Sequence, residues 1–262
     1  MNVKKRRLTP ICAFHYLKLI YRTLLFILAL TMYIFSRVKN TGELFRGFEN
    51  EYWVLGIIAI VYTTEMIMRF FPSRLESMGC QKQFAKNYIP IDNAEPKQQS
   101  WKRTFAVALA WAVLNGIIGA LYYTRLIDKG ILILISLAYG VCDIICILFF
   151  CPFQTWFMKN RCCTTCRIYN WDFAMMFTPL VFIPSWYTYG LLGCSLALLL
   201  RWEITYRRHP ERFSTATNKC LDCSHCEEKL CSHKKQLQSF IRKHGKRFFS
   251  SYEVDRKKGR NK

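Results

Sequence analysis

The chain has 262 residues, 52% of them hydrophobic, and carries a formal charge of +21. Charge and apolar residues are segregated: nearly uncharged stretches alternate with segments crowded with Lys and Arg, and a stretch of about 20 apolar residues is what crosses a hydrocarbon core of about 30 Å. The pattern excludes an ordinary soluble domain. It also assigns the basic excess to cytoplasmic loops beside anionic lipid heads, so nucleic acid is not an expected partner.

The start MNVKKRRLTP is basic, and the apolar run over residues 16–35 is too long for the core of a cleavable signal. It reads as the first membrane span, over about 13–37. Further apolar stretches lie at about 52–71, 104–124, 131–158 and 173–200. The last of these is too long for one helix and contains Pro179, Pro184, Gly190 and Gly193. Proline breaks or kinks a helix, so this stretch is either one kinked span or a tight hairpin. Charge decides between them. The basic tail after Tyr206 lies outside if there are five spans and inside if there are six, and cytoplasmic segments collect Lys and Arg. The stretch is therefore split at Pro184 into helices over about 166–183 and 186–206. The expected architecture is all-α: a polytopic transmembrane helix bundle of about six spans over residues 1–206, followed by a small, basic, cysteine-rich cytoplasmic tail over 207–262. Both termini are cytoplasmic, and the chain is expected in the cell membrane with the lipid bilayer as its first partner. Tyr122, Tyr123 and Trp186 to Tyr189 are expected at the outer interface with Tyr52 and Trp53. Trp101, Trp156, Trp171 and Trp202 are expected at the inner one.

Several polar residues fall in or near the spans. Asp143 sits near the middle of the fourth helix, where a lone carboxylate costs about 2.5–3.5 kcal/mol; it marks either a proton path or a hydrogen bond between helices, and it is the candidate catalytic residue. Glu65 and Arg69, four apart, are expected to pair with each other. Asp172 is expected to cap a helix N-terminus, and Asn115 to hydrogen-bond between helices. Pro210 is expected to end the last helix near His209.

The tail segment NKCLDCSHCEEKLCSHKK places Cys220, Cys223, Cys226 and Cys231 in a C-x2-C-x2-C-x4-C run with His225 and His233 among them. In a reducing compartment such clustered thiols point to metal or redox chemistry rather than to structural disulfides. The first three match the spacing of the ferredoxin ligand run, which continues x3-C-P; here four residues precede the last Cys, and Ser232 stands where proline would be. The cofactor expected for these metal ligands is an iron–sulfur cluster, with zinc, for which either histidine could substitute a cysteine, as the alternative. A second group, Cys151 followed by Pro152, then Cys162, Cys163 and Cys166, forms either a second cofactor-binding site or, through Cys163 and Cys166, a dithiol. Cys12, Cys80, Cys142, Cys146 and Cys194 are expected to pack as small apolar residues.

Three functions fit. One is an electron-transfer protein that passes electrons between a thiolate-bound centre on the cytoplasmic face and a membrane acceptor such as a quinone, or a redox partner protein, with Asp143 handling a proton. The second is a membrane thiol–disulfide protein. The third is a transporter or assembly factor with a structural zinc tail.

Overall fold

The computed structural model describes residues 9–38, 52–97, 99–160 and 162–226, together with Glu228, Leu230, Cys231 and Lys234. Among them the chain is all-helical, with one isolated bridge between Pro90 and Asn218 and no strand. The α-helices are α1 (Pro10–Val38), α2 (Tyr52–Arg69), α3 (Met78–Gln81), α4 (Trp101–Tyr123), α5 (Lys129–Leu148), α6 (Asp172–Phe177) and α7 (Trp186–Arg208). His225's side chain and all of His233 lie outside the described residues.

Each long helix starts and stops for a local reason. The Thr9 hydroxyl accepts from the amide of Cys12 at 3.3 Å, and Pro10 fills the first helical position, where no amide donor is needed. Asp128 caps α5 by accepting from the Ile131 amide at 2.9 Å. α7 ends at Arg208, immediately before His209 and Pro210.

Three helical stretches are long and apolar enough to cross a membrane: Pro10–Phe35, Trp101–Tyr123 and Lys129–Leu148. The expectation of about six such helices is thus met in three. The remaining segments are of another kind. α2 carries Glu65 and Arg69 in its last two turns, and α7 ends in Arg201, Glu203, Arg207 and Arg208. The segment expected as the fifth span is broken into a 3-10 turn (Arg167–Trp171), the six-residue α6 and a second 3-10 turn (Thr178–Phe182).

This broken arm and α7 form a hairpin with Pro184 at its tip. At its base the Trp202 indole donates to the Arg167 carbonyl at 2.7 Å, and Glu203 accepts from Arg167 at 2.7 Å and from the Trp171 indole at 2.9 Å. Trp202 is fully buried there, so it is a packing residue and not the interfacial anchor expected of it. Trp101, Trp156, Tyr123 and Trp186 are all strongly exposed.

The core lies between α1, α2, α5 and the hairpin, with Tyr62, Met66, Leu132, Phe173 and Met176 at its centre. Gly140 permits the closest approach in it: a Cβ there would sit 2.7 Å from the Tyr62 hydroxyl and 2.8 Å from the Met176 sulfur. Two opposite ends of the bundle can be recognised. At one, Arg37 and Tyr33 reach Asp128 at 2.6 and 3.2 Å, and Tyr123 packs on Phe182. At the other, Lys18 meets Glu76 at 2.7 Å and Arg167 meets Glu203.

Candidate functional site

A lattice of buried charges runs through the bundle toward its second end. Cys12, His15, Lys18, Arg22 and Ala29 form the buried stripe of α1, a spacing that keeps one helical face inward. The Arg22 guanidinium reaches Glu65 at 2.7 Å, Asp143 at 3.1 Å and the Gly140 carbonyl at 2.8 Å. Tyr21 also donates to Glu65. Lys18 lies 3.6 Å from Glu65 as well as against Glu76. Arg69 takes both oxygens of Asp172, at 2.7 and 2.6 Å, and lies 3.9 Å from Glu76. The pairing of Glu65 with Arg69 read from their spacing is therefore corrected: each reaches across to another element. Asp172 opens α6, but its carboxylate answers Arg69 instead of capping free amides. Asn115 is corrected too, since its amide donates to the Trp111 carbonyl of its own helix at 3.0 Å.

Beyond this lattice the chain packs a cysteine-bearing turn against the loop that contains α3. Ser77 caps α3 by accepting from the Gly79 amide at 3.0 Å, and Gly79 lies so close to the Tyr169 ring that a Cβ would meet it at 2.5 Å. Lys82 follows, fully buried, and its ammonium donates to the carbonyls of Thr164 at 2.8 Å and Cys166 at 2.9 Å. Burial holds this ammonium down to about 8. The turn is closed by the Cys166 amide donating to the Cys163 carbonyl at 2.9 Å and the Thr165 hydroxyl donating to the Cys162 carbonyl at 3.1 Å.

The described part of the tail folds back onto this turn. Ser77 and the Met78 amide both donate to the Glu228 carboxylate. Leu230 packs with Cys12, Ile147 and Leu148. Lys234 donates to the Cys146 carbonyl and to the Cys163 sulfur, each at 2.8 Å. Cys231 lies 3.4 Å, sulfur to sulfur, from Cys162. That contact is the main cause holding the Cys162 thiol well below its ordinary value and pushing Cys231 up.

Two cavities result, and consecutive residues divide them. Cys162 faces the first, a tail cavity of about 1010 Å³ also lined by Cys220, Cys223, Cys226 and Cys231. Cys163 faces the second, a bundle cavity of about 340 Å³, with Cys151 and Cys166. The second group expected from the sequence is thus distributed between them. Asp143 lines the bundle cavity, as do Cys142 and Cys146, two cysteines that sequence reasoning left to packing. The missed signal was their spacing: residues 142, 143 and 146 fall within one helical turn or so and share a side of α5. Cys146 hydrogen-bonds Cys151 and is the largest cause lowering that thiol to about 6, while burial pushes Cys166 up to about 11. Cys12 and Cys80 are buried, as expected of small apolar residues. Among the described residues no three His, Cys, Asp or Glu side chains converge closely enough to hold a metal ion.

No protein-family model, curated protein or solved structure matches the chain.

Proposed function

We propose that the chain is a membrane-embedded electron-transfer protein whose thiolate-bound centre lies in the tail cavity, on the cytoplasmic face of a bundle that crosses the membrane six times. The observation that carries the reading is the ring of five cysteines around that cavity, Cys162, Cys220, Cys223, Cys226 and Cys231. Four thiolates hold an iron–sulfur cluster. The spacing of Cys220, Cys223 and Cys226 would bring three from one short loop and Cys231 the fourth, which requires that loop to close, because in this conformation no three of the described thiols converge on one point. Alternation of the helical segments between the two ends supports six crossings with both described ends of the chain on the basic side.

Held by these cysteines, such a centre would supply one-electron transfer between a soluble donor and a lipid-soluble acceptor. Two electrons and two protons convert a quinone to its quinol. Asp143 supplies one proton from the bundle cavity, and the other comes from water at the basic face. The test is the metal content and absorbance of full-length protein purified without oxygen. Iron with an equal amount of acid-labile sulfide, lost on replacing Cys220, Cys223, Cys226 or Cys231 singly with Ser, is the expected result. Zinc without sulfide would replace this reading with that of a zinc-stapled transporter or assembly factor.

The 3.4 Å approach of Cys231 to Cys162 favours a second reading, a thiol–disulfide protein. The two thiols would lose two electrons and two protons to a quinone and close a disulfide. Metal-free protein that yields a Cys162–Cys231 linked peptide after quinone treatment, and not before, selects it.

A further inference from the structure

The bundle cavity has walls of a particular kind. Trp111 of α4 packs against Tyr139 of α5 with ring centroids 4.7 Å apart and against Phe153 at 6.2 Å. Met175 and Met176 belong to the lining as well, and flexible, polarizable methionine side chains adapt to a flat guest. About 340 Å³ falls within the range of about 300–1,000 Å³ usual for small-molecule sites, which are mostly apolar with a few placed polar groups. Here those groups are few; the Tyr169 hydroxyl has no hydrogen-bond partner among the described residues, and the others are largely engaged. Gln154 accepts from the Cys163 thiol at 2.6 Å and donates to the Asn160 carbonyl at 3.0 Å. Asp172 is held by Arg69. Asp143 gives only Oδ2 to Arg22, and Oδ1 takes no hydrogen bond from the described residues.

The cavity also has a way in. Cys142 lines it and is exposed on α5, and Ile145 one turn further along is 39% exposed. Both lie within Lys129–Leu148, a helix long and apolar enough to cross the membrane. In a bundle that spans the membrane, a mouth at Cys142 would open to acyl chains, so a guest would arrive dissolved in lipid. On the far wall, Cys163 and Cys166 separate the cavity by a single turn of chain from Cys162 and the tail cavity.

We propose that the bundle cavity binds the head group of a lipid-soluble quinone, entering sideways past Cys142, with its ring against Trp111 and Tyr139 and one carbonyl toward Asp143. The assignment rests on the electron-transfer reading and names its acceptor. A protonated Asp143 donates to the quinone carbonyl. As the quinone takes up two electrons originating from the soluble donor, that proton would move to the reduced oxygen and the carboxylate left behind would keep its contact with Arg22. The second proton comes from water at the basic face.

Full-length protein in lipid nanodiscs is photolabelled with an azido-benzoquinone bearing a decyl tail, and labelled peptides are mapped by mass spectrometry. Labelling is expected to saturate, to fall on peptides containing Trp111, Tyr139 or Met175, and to be displaced by unlabelled decyl-benzoquinone but not by decanol. Met175→Trp, which fills the cavity, and Cys142→Trp, which obstructs its mouth, are each expected to weaken binding by at least about tenfold, an effect equivalent to about 1.4 kcal/mol. The exposed control Leu114→Trp should leave it unchanged. The second filling site keeps the test decisive if one variant does not fold. Labelling that rises linearly with probe and spreads over exposed residues of α1 such as Leu24 would show partition into lipid alone and overturn the site, as would saturable binding indifferent to both filling variants. The same labelling on a variant with Cys220, Cys223, Cys226 and Cys231 all replaced by Ser separates the two ideas. Binding retained without metal supports the site whatever becomes of the centre, and a metal-bearing protein that binds no quinone removes the site and leaves the centre standing.

Discussion

The interior of the bundle and its basic end solve opposite problems. Inside, Lys18, Arg22 and Arg69 each reach at least one of Glu65, Glu76, Asp143 and Asp172 within 3.1 Å. The aromatic faces of Tyr62 and Phe173 cover the two guanidiniums. This lattice is nearly closed: its partners are side chains already present, and Asp143 Oδ1 is the carboxylate oxygen it leaves toward the bundle cavity. At the basic end the thiols of Cys162, Cys163, Cys166, Cys220, Cys223, Cys226 and Cys231 are instead spread around the walls of two cavities. Charges taken out of water must be satisfied by the fold itself, whereas thiols cost little to leave open. The first region holds the helices together, and the second leaves its thiols on the walls of open cavities.

The strongest way to break the comparison is at Arg22. Arg22→Met removes the nearer of the two cations beside buried Glu65 and the cation paired with partly buried Asp143, and removing one member of a buried pair costs about 3–5 kcal/mol. The variant is expected to lose most folded protein in a thermal or denaturant melt in detergent. Adding Glu65→Gln should recover a good part of the loss, because it removes one stranded charge. A stable single variant would mean that the lattice does not hold the bundle.

Lys82 tests the join between the regions. Lys82→Met keeps the buried volume but strands the carbonyls of Thr164 and Cys166, which the ammonium now serves. Each buried acceptor left without a partner costs about 1–3 kcal/mol. The expected result is a smaller loss of stability than at Arg22, with faster amide exchange confined to the turn that carries Cys162, Cys163 and Cys166. Exchange rising equally throughout α5 would show that Lys82 belongs to the general core.

Much of the fold follows from local chemistry that a sequence displays. Thr9 with Pro10 marks the start of α1, Pro184 the tip of the hairpin, and Pro210 the end of α7. Apolar runs mark α1, α4 and α5. Long-range choices are less legible. Glu65 and Arg69 have the spacing of a helical pair, but that spacing is worth a few tenths of a kcal/mol, and a buried partner on another helix outweighs it. Cys162 stands beside Cys163 in the chain and faces a different cavity, because its partner is Cys231, 69 residues away. Cys142 and Cys146 look like packing residues until the facing walls, Trp111 and Met175, are in place. The fifth span looked like a plain helix because its apolar run conceals two 3-10 turns.

A gentler probe of the closed region is acid. Burial alone would raise the Glu76 carboxyl, but Arg69 and Lys18 beside it hold it below its ordinary value of 4.5. A depressed folded value means that the unfolded chain binds more protons at low pH. The stability from Glu76 is therefore complete above about 4.5 and is lost as pH falls below it through the folded value. Thermal midpoints taken from about pH 6 down to about pH 3 should fall more steeply for the wild type than for Glu76→Gln. Parallel curves would assign the acid sensitivity to other carboxylates.

The smallest effect is expected where the comparison is sharpest. Cys223 is exposed and Cys226 partly so. Replacing both with Ser removes no buried apolar atom and strands no buried donor, and surface changes of this kind usually stay within about 0.5 kcal/mol. The melting of the bundle should therefore hardly move, while the metal of the proposed centre is lost. Cys80 supplies the contrast. It is fully buried, with its thiol donating to the Ser77 carbonyl at 3.0 Å. Serine there can still donate to that carbonyl but leaves a small void where the larger sulfur packed, which costs about 1 kcal/mol, with no expected change in metal. The pair of variants thus separates cysteines that pack from cysteines that react. If Cys223→Ser with Cys226→Ser lowers the melting of the bundle as much as Cys80→Ser does, the tail cavity is a staple for the fold. The distinction between a closed interior and an open basic end then fails, and the zinc-stapled reading takes the place of electron transfer.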